Sequence, residues 1–386
     1  MKSIQEGAIT LKLPGTGTSI FAVMSQAAAE HGALNLSQGF PDFEVSQDLV
    51  DRIHFYMKKG MNQYAPMTGI PRLRQRISEK TLRLHGVLYD PEKEINIVAG
   101  ATQGIFTTIM SMIHKGDEVI IFEPAYDSYA PSVSLSGGVV RRVQLTFPEY
   151  RIPWDQVREL INPATRMLII NSPHNPSGST LEEDDMQELI GLTRNSNILI
   201  LSDEVYEHLI FDGKKHLSVS RYSELASRSF VMGSFGKTYH ATGWKMGYVL
   251  APAALMKEFR KSHQFIVFTC NTPVQWAIAD FLGDPSTYEN LGAFYQEKRD
   301  HFAKKISSSR FRIIPSHGTY FQLLDFSGIS DMNDLDFALF MTKNHKIASI
   351  PVTPFYENPP DLKVLRFCFA KKEETLNQAA EILCRI

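Results

Sequence analysis

A regular alternation of short apolar runs and helix-length segments begins near residue 95 and constrains the fold of this 386-residue chain more than any other feature. The runs lie at residues 95–99, 117–123, 139–145, 166–171, 197–204, 228–233 and 247–251. Such runs, separated by helical segments like those that we expect from Ala101 and from Tyr126, are typical of a mainly parallel sheet with helices on both faces. The pattern predicts an α/β fold with its ligand site at the strand ends.

The pattern changes beyond about residue 288. A long charged helix at 288–306 precedes short apolar runs at 311–315, 319–326, 347–350 and 363–370, with helices near 334–345 and from Glu373. We therefore predict a smaller α+β domain at 288–386 and a large domain at 46–287. Residues 1–45 carry scattered Pro and Gly, so we expect them to stay outside the central sheet and to pack with the small domain.

Composition and charge exclude several classes of protein. The net charge of −2 and the pI near 6.6 give no basis for binding nucleic acid, and no apolar run approaches the roughly 20 residues of a membrane span. The N-terminal residues lack the apolar core of a secretory signal. The cysteines at 270, 368 and 384 are widely spaced, and neither CxxC nor HExxH occurs. We predict a cytoplasmic protein with buried, reduced thiols and no metal site.

The stretch "GSFGKTYHATGWKMGY" at 233–248 contains a Gly-Lys-Thr that allows two interpretations. A phosphate-binding P-loop needs a glycine five positions before the Gly-Lys pair, because that loop length wraps backbone amides around a phosphate. Position 231, where that glycine would stand, is Val231, so the loop length excludes a P-loop. The alternative is a nucleophilic lysine, Lys237.

A lysine that binds an aldehyde cofactor such as pyridoxal phosphate (PLP) requires particular neighbours. Asp203 ends a very apolar run and could face a protonated ring nitrogen, since a buried carboxylate needs a positive partner. Tyr206 and Asn175 follow strand ends and could donate to the phenolic oxygen of the ring. Taken singly, each also has an ordinary interpretation: Lys237 as a solvated loop lysine, Asp203 as a helix cap, and the Asn175 segment as a simple turn.

A phosphate site and a ring-stacking side chain have candidates as well. The segment "AGATQG" (99–104) stands at a strand-to-helix junction, where backbone amides and the helix dipole favour an anion. Ser234 and Lys245 could complete that site, although Thr102 could equally cap its own helix. Tyr126 could lie flat against the ring, or it could be a core aromatic. The order of all these candidates on successive strand ends is what favours the cofactor.

The chain at this point resembles the class I aminotransferases of the aspartate aminotransferase-like superfamily, which are fold type I PLP enzymes. The resemblance is carried by segments between residues 37 and 370: "SQGFPDF", "NQYAPMTGIPRLR", "AGATQG", "EPAYDSY", "NSPHNPSG", "SDEVYEHL", "GSFGKTYHATGWKMGY", "NTPVQ", "GTYF" and "LRFCFA". Within the family, the chain looks most like the methionine aminotransferase and kynurenine/glutamine aminotransferase branch. Lysine at 245, where many relatives carry arginine, is common in that branch.

The resemblance implies a large domain with a seven-stranded sheet and a role for each motif residue. Lys237 would form the Schiff base and shuttle the proton, with Asp203 and Tyr206 as the other catalytic residues. The α-carboxylate of the substrate would be bound by Arg366, Asn175 and the backbone of Gly39. Tyr64 would reach the phosphate in a neighbouring subunit, which implies a homodimer with shared sites. The remaining cofactor-binding residues would be Gly100, Ala101, Thr102, Tyr126, Asn175, Ser234 and Lys245.

The implied reaction is ping-pong transamination from an L-amino acid to a 2-oxo acid, with PLP as the cofactor. Methionine is the expected donor, with aromatic, glutamine-like or kynurenine-like side chains as further candidates. Ile20 and Phe21 could form an apolar side-chain pocket, or could simply pack in the core. Cysteine-S-conjugate β-lyase and aspartate or aromatic aminotransferase activities remain the alternatives.

Overall fold

The computed structural model describes residues 10–386; residues 1–9 of the predicted N-terminal segment lie outside the described residues. The helices of the described residues are α1 Ile20–His31, α2 Gln47–Lys58, α3 Pro71–His85, α4 Ala101–Met112, α5 Tyr129–Leu135, α6 Trp154–Leu160, α7 Glu183–Thr193, α8 Ser223–Ala226, α9 Phe235–Thr238, α10 Ala253–Ile266, α11 Thr272–Phe281, α12 Ser286–Glu289, α13 Leu291–Lys305, α14 Asp334–Phe340 and α15 Glu373–Leu383. A π-helical segment, Met341–His345, continues α14.

The strands are short and follow the apolar runs closely. They are β1 Leu34–Asn35, β2 Ile95–Val98, β3 Glu118–Glu123, β4 Val139–Gln144, β5 Thr165–Asn171, β6 Leu199–Asp203, β7 Ser229–Ser234, β8 Gly247–Leu250, β9 Arg312–Ile314, β10 Phe321–Asp325, β11 Ile347–Ala348, β12 Ile350–Pro351 and β13 Val364–Cys368.

The central element is a seven-stranded sheet in the order β2-β8-β7-β6-β5-β3-β4. Its strands are parallel except β8, which runs antiparallel to both β2 and β7. All residues of β3 and β6 are buried, and Val119 and Ile121 pack in one apolar core while Ile120 and Phe122 pack in the other. Each strand thus contributes to a core on both faces. The predicted α/β class with a mainly parallel sheet is confirmed.

A second sheet lies in the C-terminal part of the chain. It is antiparallel, with the order β12-β13-β10-β9. The short strand β1 pairs in parallel with β11, which brings the N-terminal segment against this part of the chain. These pairings are in keeping with packing of residues 1–45 on the small domain. The boundaries at 45 and 287 stay a prediction.

Several local expectations are wrong. The helix expected from Tyr126 begins at Tyr129, because residues 127–128 form a turn in which the Tyr129 amide donates to the Tyr126 carbonyl over 3.1 Å. The ordinary interpretation of Lys237 as a solvated loop lysine is also wrong, since Lys237 lies in the short helix α9, where the Tyr239 amide donates to the Phe235 carbonyl. Cys384 is exposed, whereas Cys270 and Cys368 are buried.

None of the helices within residues 10–386 combines the length and apolar character that a membrane span requires. Across the same residues, no group of three or more His, Cys, Asp or Glu side chains is arranged to hold a metal ion.

Candidate active site

A cavity of about 240 Å³ opens at the carboxyl ends of β5, β6 and β7. A single water occupies only about 10–15 Å³ on this measure, so the space suits a small organic molecule. Twelve of the residues predicted from sequence line it: Gly39, Gly100, Ala101, Thr102, Tyr126, Asn175, Asp203, Tyr206, Ser234, Lys237, Lys245 and Arg366. The sheet thus brings together residues that are far apart in the chain.

The register of the parallel strands explains why these side chains meet. Asn171, the last residue of β5, stands opposite Asp203, the last residue of β6, and Asp203 stands opposite Met232 of β7. Because β7 ends only two residues later and passes directly into α9, Lys237 reaches the same edge. Parallel strands place their carboxyl ends together, which is why the loops after them share one cavity.

The N-terminus of α4 forms one end of the cavity. Gly100 precedes the helix with φ +82°, and within residues 10–386 no side chain caps its first turn. A Cβ at Gly100 would lie 3.4 Å from Nζ of Lys245, so this ammonium stands beside the first amides of the helix. Ser234 lines the cavity as well. An uncapped helix N-terminus next to a lysine is a site for an anion such as phosphate.

Asp203 lies at the buried floor of the cavity and is 4% exposed. The hydroxyl of Tyr129 donates to its Oδ2 over 2.6 Å. Burial raises the pKa of Asp203 to about 6, and the hydrogen bond from Tyr129 only partly opposes this shift. A carboxylate in this position would be stabilised by a cation within the cavity.

The amine of Lys237 faces the same space. Its Nζ donates to the hydroxyl of Tyr320 over 2.8 Å and to the carbonyl of Gly39 over 3.3 Å. Burial lowers the pKa of the Lys237 amine to about 8. A large share of the amine is therefore neutral near pH 8, and a neutral amine can act as a nucleophile and as a base.

Arg366 and Asn175 form the other end of the cavity. Nη1 of Arg366 donates to Oδ1 of Asn175 over 2.7 Å, and Nη2 donates to the Ser37 carbonyl over 3.2 Å. The arginine is 1% exposed, and its Nε has no hydrogen-bond partner among the described residues. Burial lowers the pKa of Arg366 to about 10, so it stays charged near neutral pH.

Within residues 10–386 no carboxylate lies within 4 Å of the Arg366 guanidinium, although Asp127 is near enough to act on its charge. A buried guanidinium in this state is suited to a ligand carboxylate, which it can bind with two parallel hydrogen bonds. Because the carbonyl oxygen of Asn175 already accepts from Arg366, the NH₂ group of Asn175 is what remains to donate into the cavity.

Aromatic side chains complete the walls. The hydroxyl of Tyr126 lies 3.2 Å from Oγ1 of Thr102, which ties the tyrosine to the first turn of α4. Tyr206 is buried, and its ring lies 5.6 Å from Nζ of Lys237. The pKa of Tyr206 is raised by burial, so its hydroxyl remains a hydrogen-bond donor.

Tyr64 is the one predicted site residue that lies outside this cavity. It is 79% exposed and packs edge-on against Phe268, with ring centroids 5.2 Å apart. Its predicted role concerns the site of another subunit, so its position in a single chain neither supports nor contradicts that role.

Sequence reasoning missed residues that the structure brings to the site. Tyr129 and Tyr320 contact Asp203 and Lys237 through their hydroxyls; both lie in segments that carry the resemblance, "EPAYDSY" and "GTYF", but neither was given a role. Asn171 supports the loop after β5 through two hydrogen bonds. Its Oδ1 accepts from the Asn175 amide, and its Nδ2 donates to the Asp203 carbonyl. Its place at the end of an apolar run was a usable signal. Of the two candidate pocket residues, Phe21 lines the cavity and Ile20 does not, and Phe321 lies on the same wall.

Comparisons with known proteins identify the family of the chain. Residues 31–383 match the family described as "Aminotransferase class I and II". The chain is 45% identical to methionine aminotransferase of Escherichia coli (strain K12), over 96% of this chain and 97% of that one. It is 32% identical to human kynurenine–oxoglutarate transaminase 3, over 96% of this chain and 89% of the relative.

Solved structures show the same similarity in three dimensions. An Escherichia coli crystal structure, for which a methionine aminotransferase function was identified, superposes with a TM-score of 0.96 at 44% identity, covering 98% of this chain and 99% of that one. The structure of N-succinyldiaminopimelate aminotransferase from Mycobacterium tuberculosis superposes with a TM-score of 0.94 at 33% identity, covering 98% and 100%. The predicted resemblance and the predicted aminotransferase class are confirmed. The chain belongs to the family of class I and class II aminotransferases.

Proposed function

We propose that this aminotransferase uses pyridoxal phosphate and takes L-methionine as its main amino donor, passing the amino group to a 2-oxo acid. The observation that carries the proposal is that Asp203, Lys237 and Arg366 converge on one cavity. Asp203 and Arg366 are buried and Lys237 is partly buried, and none of the three has an ion-pair partner within 4 Å among residues 10–386. Unmatched buried charges are costly, so their concentration at one place indicates ligands of complementary charge.

The described residues fit pyridoxal phosphate. The phosphate would lie at the N-terminus of α4, held by Gly100, Ala101 and Thr102 with Lys245 and Ser234 beside them. Asp203 would face the ring nitrogen, and Tyr206 and Asn175 would donate to the phenolic oxygen. Tyr126 would lie against the ring. When bound, PLP supplies a carbon to which an amine can be joined and a ring that accepts electrons from Cα of the substrate.

The chain itself would bind and orient the amino acid. Arg366 and the NH₂ group of Asn175 would hold the α-carboxylate, which fixes the position of Cα. The amine of Lys237, once free, would take the proton from Cα and later return a proton, so the same residue acts as base and acid. Its lowered pKa, near 8, makes the neutral base available close to neutral pH.

Three features support an uncharged donor such as methionine. The relative at 45% identity is a methionine aminotransferase. Phe21 and Phe321 line the cavity, and their rings lie 5.4 and 3.9 Å from the Arg366 guanidinium. Among the described residues, the cationic side chains of the cavity wall are Lys237, Lys245 and Arg366. All three have other roles, so the described residues of this chain's own cavity wall leave no cation for the second carboxylate of aspartate.

We also propose a homodimer in which Tyr64 reaches the cofactor phosphate of the partner subunit. The support is exposed aromatic surface at this residue: Phe268 packs on Tyr64 and is 46% exposed, and Phe265, three positions before Phe268 in the chain, is 86% exposed. Exposed surface of this kind marks protein interfaces. A cytoplasmic location is proposed as well, supported by three cysteines that are all free.

A spectroscopic titration tests the cofactor and the donor together. The purified protein is loaded with PLP, and its near-ultraviolet and visible spectrum is recorded before and after separate additions of methionine, phenylalanine, kynurenine and aspartate. We expect a cofactor band that methionine changes fastest. The same spectrum in Lys237→Ala, or no band at all, would contradict the cofactor proposal. A faster response to aspartate would overturn only the choice of donor.

Product analysis separates transamination from the β-lyase alternative. With a cysteine S-conjugate as substrate, we expect its 2-oxo acid rather than pyruvate and ammonia. Release of pyruvate and ammonia as the main products would make the enzyme a β-lyase built on the same site.

A further inference from the structure

Tyr320 contacts the proposed catalytic amine but belongs to none of the roles described above. It stands immediately before β10 and is fully buried. Its hydroxyl accepts a hydrogen bond from Nζ of Lys237 over 2.8 Å and donates one to the carbonyl of Gly39. The Gly39 carbonyl also accepts from Nζ of Lys237, over 3.3 Å. The three groups therefore form a closed triangle at the edge of the cavity.

The valence of each group determines what this triangle can do. A tyrosine hydroxyl has one proton, and here it is directed at Gly39, so the oxygen is left to accept from the amine. A neutral lysine amine has two N–H groups and one lone pair. Tyr320 and Gly39 provide two acceptors, one for each N–H. The remaining tetrahedral direction carries the lone pair and is left for the cavity that Lys237 lines.

We propose that Tyr320 is a positioning residue for Lys237: together with the Gly39 carbonyl, its hydroxyl holds the free amine so that the lone pair faces the substrate. This inference rests on the proposed role of Lys237 as the amine that moves the Cα proton. It adds a residue and a task that no motif assigned, namely the orientation of the amine while it is not covalently engaged.

Two further observations support positioning rather than simple packing. Burial raises the pKa of Tyr320 well above its usual range, so its hydroxyl keeps its proton and does not titrate with the amine. A Cβ at Gly39 would lie only 2.8 Å from Cζ of Phe321, so the segment around Gly39 lies tightly against the start of β10. The second acceptor is therefore held in place by the strand that follows Tyr320.

Tyr295 is a matched control in the same aromatic cluster. It is also fully buried, and its ring lies 5.8 Å from that of Tyr320. Its hydroxyl has no hydrogen-bond partner in the part of the chain that the structure describes. Tyr295→Phe and Tyr320→Phe thus remove the same atom from similar surroundings, but only the second removes a contact with Lys237.

The test compares the two variants with the wild-type holoenzyme. We expect Tyr320→Phe to lower kcat about 10-fold, the equivalent of one net hydrogen bond between neutral groups, with KM for methionine little changed. The isotope effect with Cα-deuterated methionine should increase, because proton transfer becomes slower relative to the other steps. Tyr295→Phe should match the wild type. Equal kcat and equal isotope effects for the two variants would overturn the proposal.

A second readout does not depend on turnover. The rate at which an amine-acylating reagent labels Lys237 is measured against pH in the PLP-free protein, by mass spectrometry of the labelled peptide. Loss of an acceptor disfavours the protonated amine, so the pKa of Lys237 should fall by about one pH unit in Tyr320→Phe and stay unchanged in Tyr295→Phe. An unchanged pKa in both would contradict the inference, whereas an inactive wild type would contradict the proposed function.

If Tyr320→Phe does not fold, 3-fluorotyrosine at position 320 replaces it. Fluorine withdraws electrons from the hydroxyl oxygen and weakens it as an acceptor, while the shape of the side chain is nearly kept. The pKa of Lys237 should then change in the same direction by a smaller amount, and no change would again overturn the proposal.

Discussion

Two buried polar clusters lie on either side of the end of β6, and they differ in whether each charge has a partner. The paired cluster consists of Lys80, Glu204, Glu207, His216 and Tyr248. The cavity cluster consists of Asp203, Lys237 and Arg366. Asp203 and Glu204 are adjacent in the chain, and successive residues of a strand point to opposite faces. One step along the backbone therefore separates the two clusters.

In the paired cluster every acid is matched within the chain. Nζ of Lys80 lies 2.5 Å from Oε1 of Glu207, which also accepts from the Tyr248 hydroxyl over 2.7 Å. Glu204 lies 2.7 Å from Nε2 of His216. Burial alone would raise the pKa of the Glu207 carboxyl. The nearby Lys80 ammonium outweighs this effect and holds the pKa of Glu207 well below its usual range.

In the cavity cluster, the pKa of each group is shifted in the direction that favours its uncharged form. The pKa of Asp203 rises to about 6, and those of Lys237 and Arg366 fall to about 8 and 10, in each case chiefly through burial. The difference between the clusters is informative because both lie in the interior, yet the pKa shifts of their groups have opposite directions. Charges that stabilise the fold find partners in the chain, whereas charges that serve a ligand are left unmatched.

The largest expected effect is on turnover in the cavity cluster. Lys237→Arg keeps a positive charge but replaces the amine with a group that does not deprotonate, so kcat should fall by roughly 10³-fold or more. Lys245→Arg is the matched control because it makes the same change in the same cavity at a residue that only needs its charge. Steady-state kinetics with methionine measure both. Comparable activity in the two variants would remove Lys237 from the mechanism.

In the paired cluster, we expect the main effect of a substitution to be on the free energy of unfolding. Lys80→Met leaves the Glu207 carboxylate buried without its ammonium, so the free energy of unfolding should fall by about 3–5 kcal/mol in urea titrations. Lys93 forms an exposed ion pair with Asp90, with Nζ of Lys93 3.7 Å from Oδ2 of Asp90. Lys93→Met should therefore change the free energy of unfolding by less than about 0.5 kcal/mol.

The difference in stability between Lys80→Met and the wild type should depend on pH. Because the folded-state pKa of Glu207 is lowered, its contribution is complete above the unfolded-state pKa of about 4.5 and is lost as the pH falls through the folded-state value. The difference between Lys80→Met and the wild type should therefore narrow in acid. A difference that is the same at pH 7 and in acid would contradict the role of the ion pair.

Arg366→Met tests whether an unpaired charge of the cavity cluster contributes to substrate binding or to stability. Loss of the guanidinium should lower kcat/KM for methionine by roughly 10²–10³-fold, since the α-carboxylate loses its charged partner. The PLP-free protein should be no less stable, because a buried cation without an ion-pair partner is replaced by an apolar side chain. Arg385→Met is the control, because Arg385 is 79% exposed and its partner Glu381 is exposed as well. A large loss of stability in Arg366→Met would show that this residue belongs to the fold.

Asp203→Asn should give the smallest change in free energy. The pKa of Asp203 is raised from 3.8 to about 6, so in the PLP-free protein the folded state retains a proton that the unfolded state has lost. Stability of the wild type therefore falls as the pH rises through that window, by on the order of 2–3 kcal/mol. Unfolding measurements on the PLP-free proteins should show equal stability at pH 3.5 and a more stable Asp203→Asn above pH 6. A less stable variant at pH 7 would contradict this assignment.

Much of the fold could be predicted because it rests on local pattern. Buried strands are apolar along most of their length, and the largely exposed edge strand β4 is marked by its valines, so all seven runs between residues 95 and 251 became strands of the central sheet. The residues of β8 themselves do not indicate that this strand runs antiparallel to its neighbours. It follows from the short connection through α9, which returns the chain beside β7.

The candidate site was predictable where a residue stood at a strand end or in a motif. Lys237, Asp203 and Arg366 were found in this way, and the cavity brings them together. Tyr129 and Tyr320 were missed, although they lie in "EPAYDSY" and "GTYF", because a tyrosine beside an apolar run has the appearance of core and its segment does not show which group the hydroxyl contacts. Tyr64 remains a prediction that depends on a second subunit.

The sequence by itself determined the elements, their order and the kinds of group that follow each strand, because these depend on residues close together in the chain. Only the tertiary structure decided which buried charges are paired and which are not. Lys80 meets Glu207 across 127 residues, and Tyr320 meets Gly39 across 281. No local pattern encodes such distances, and the same aspartate or lysine has an ordinary or a strongly displaced pKa according to the neighbours that the fold supplies.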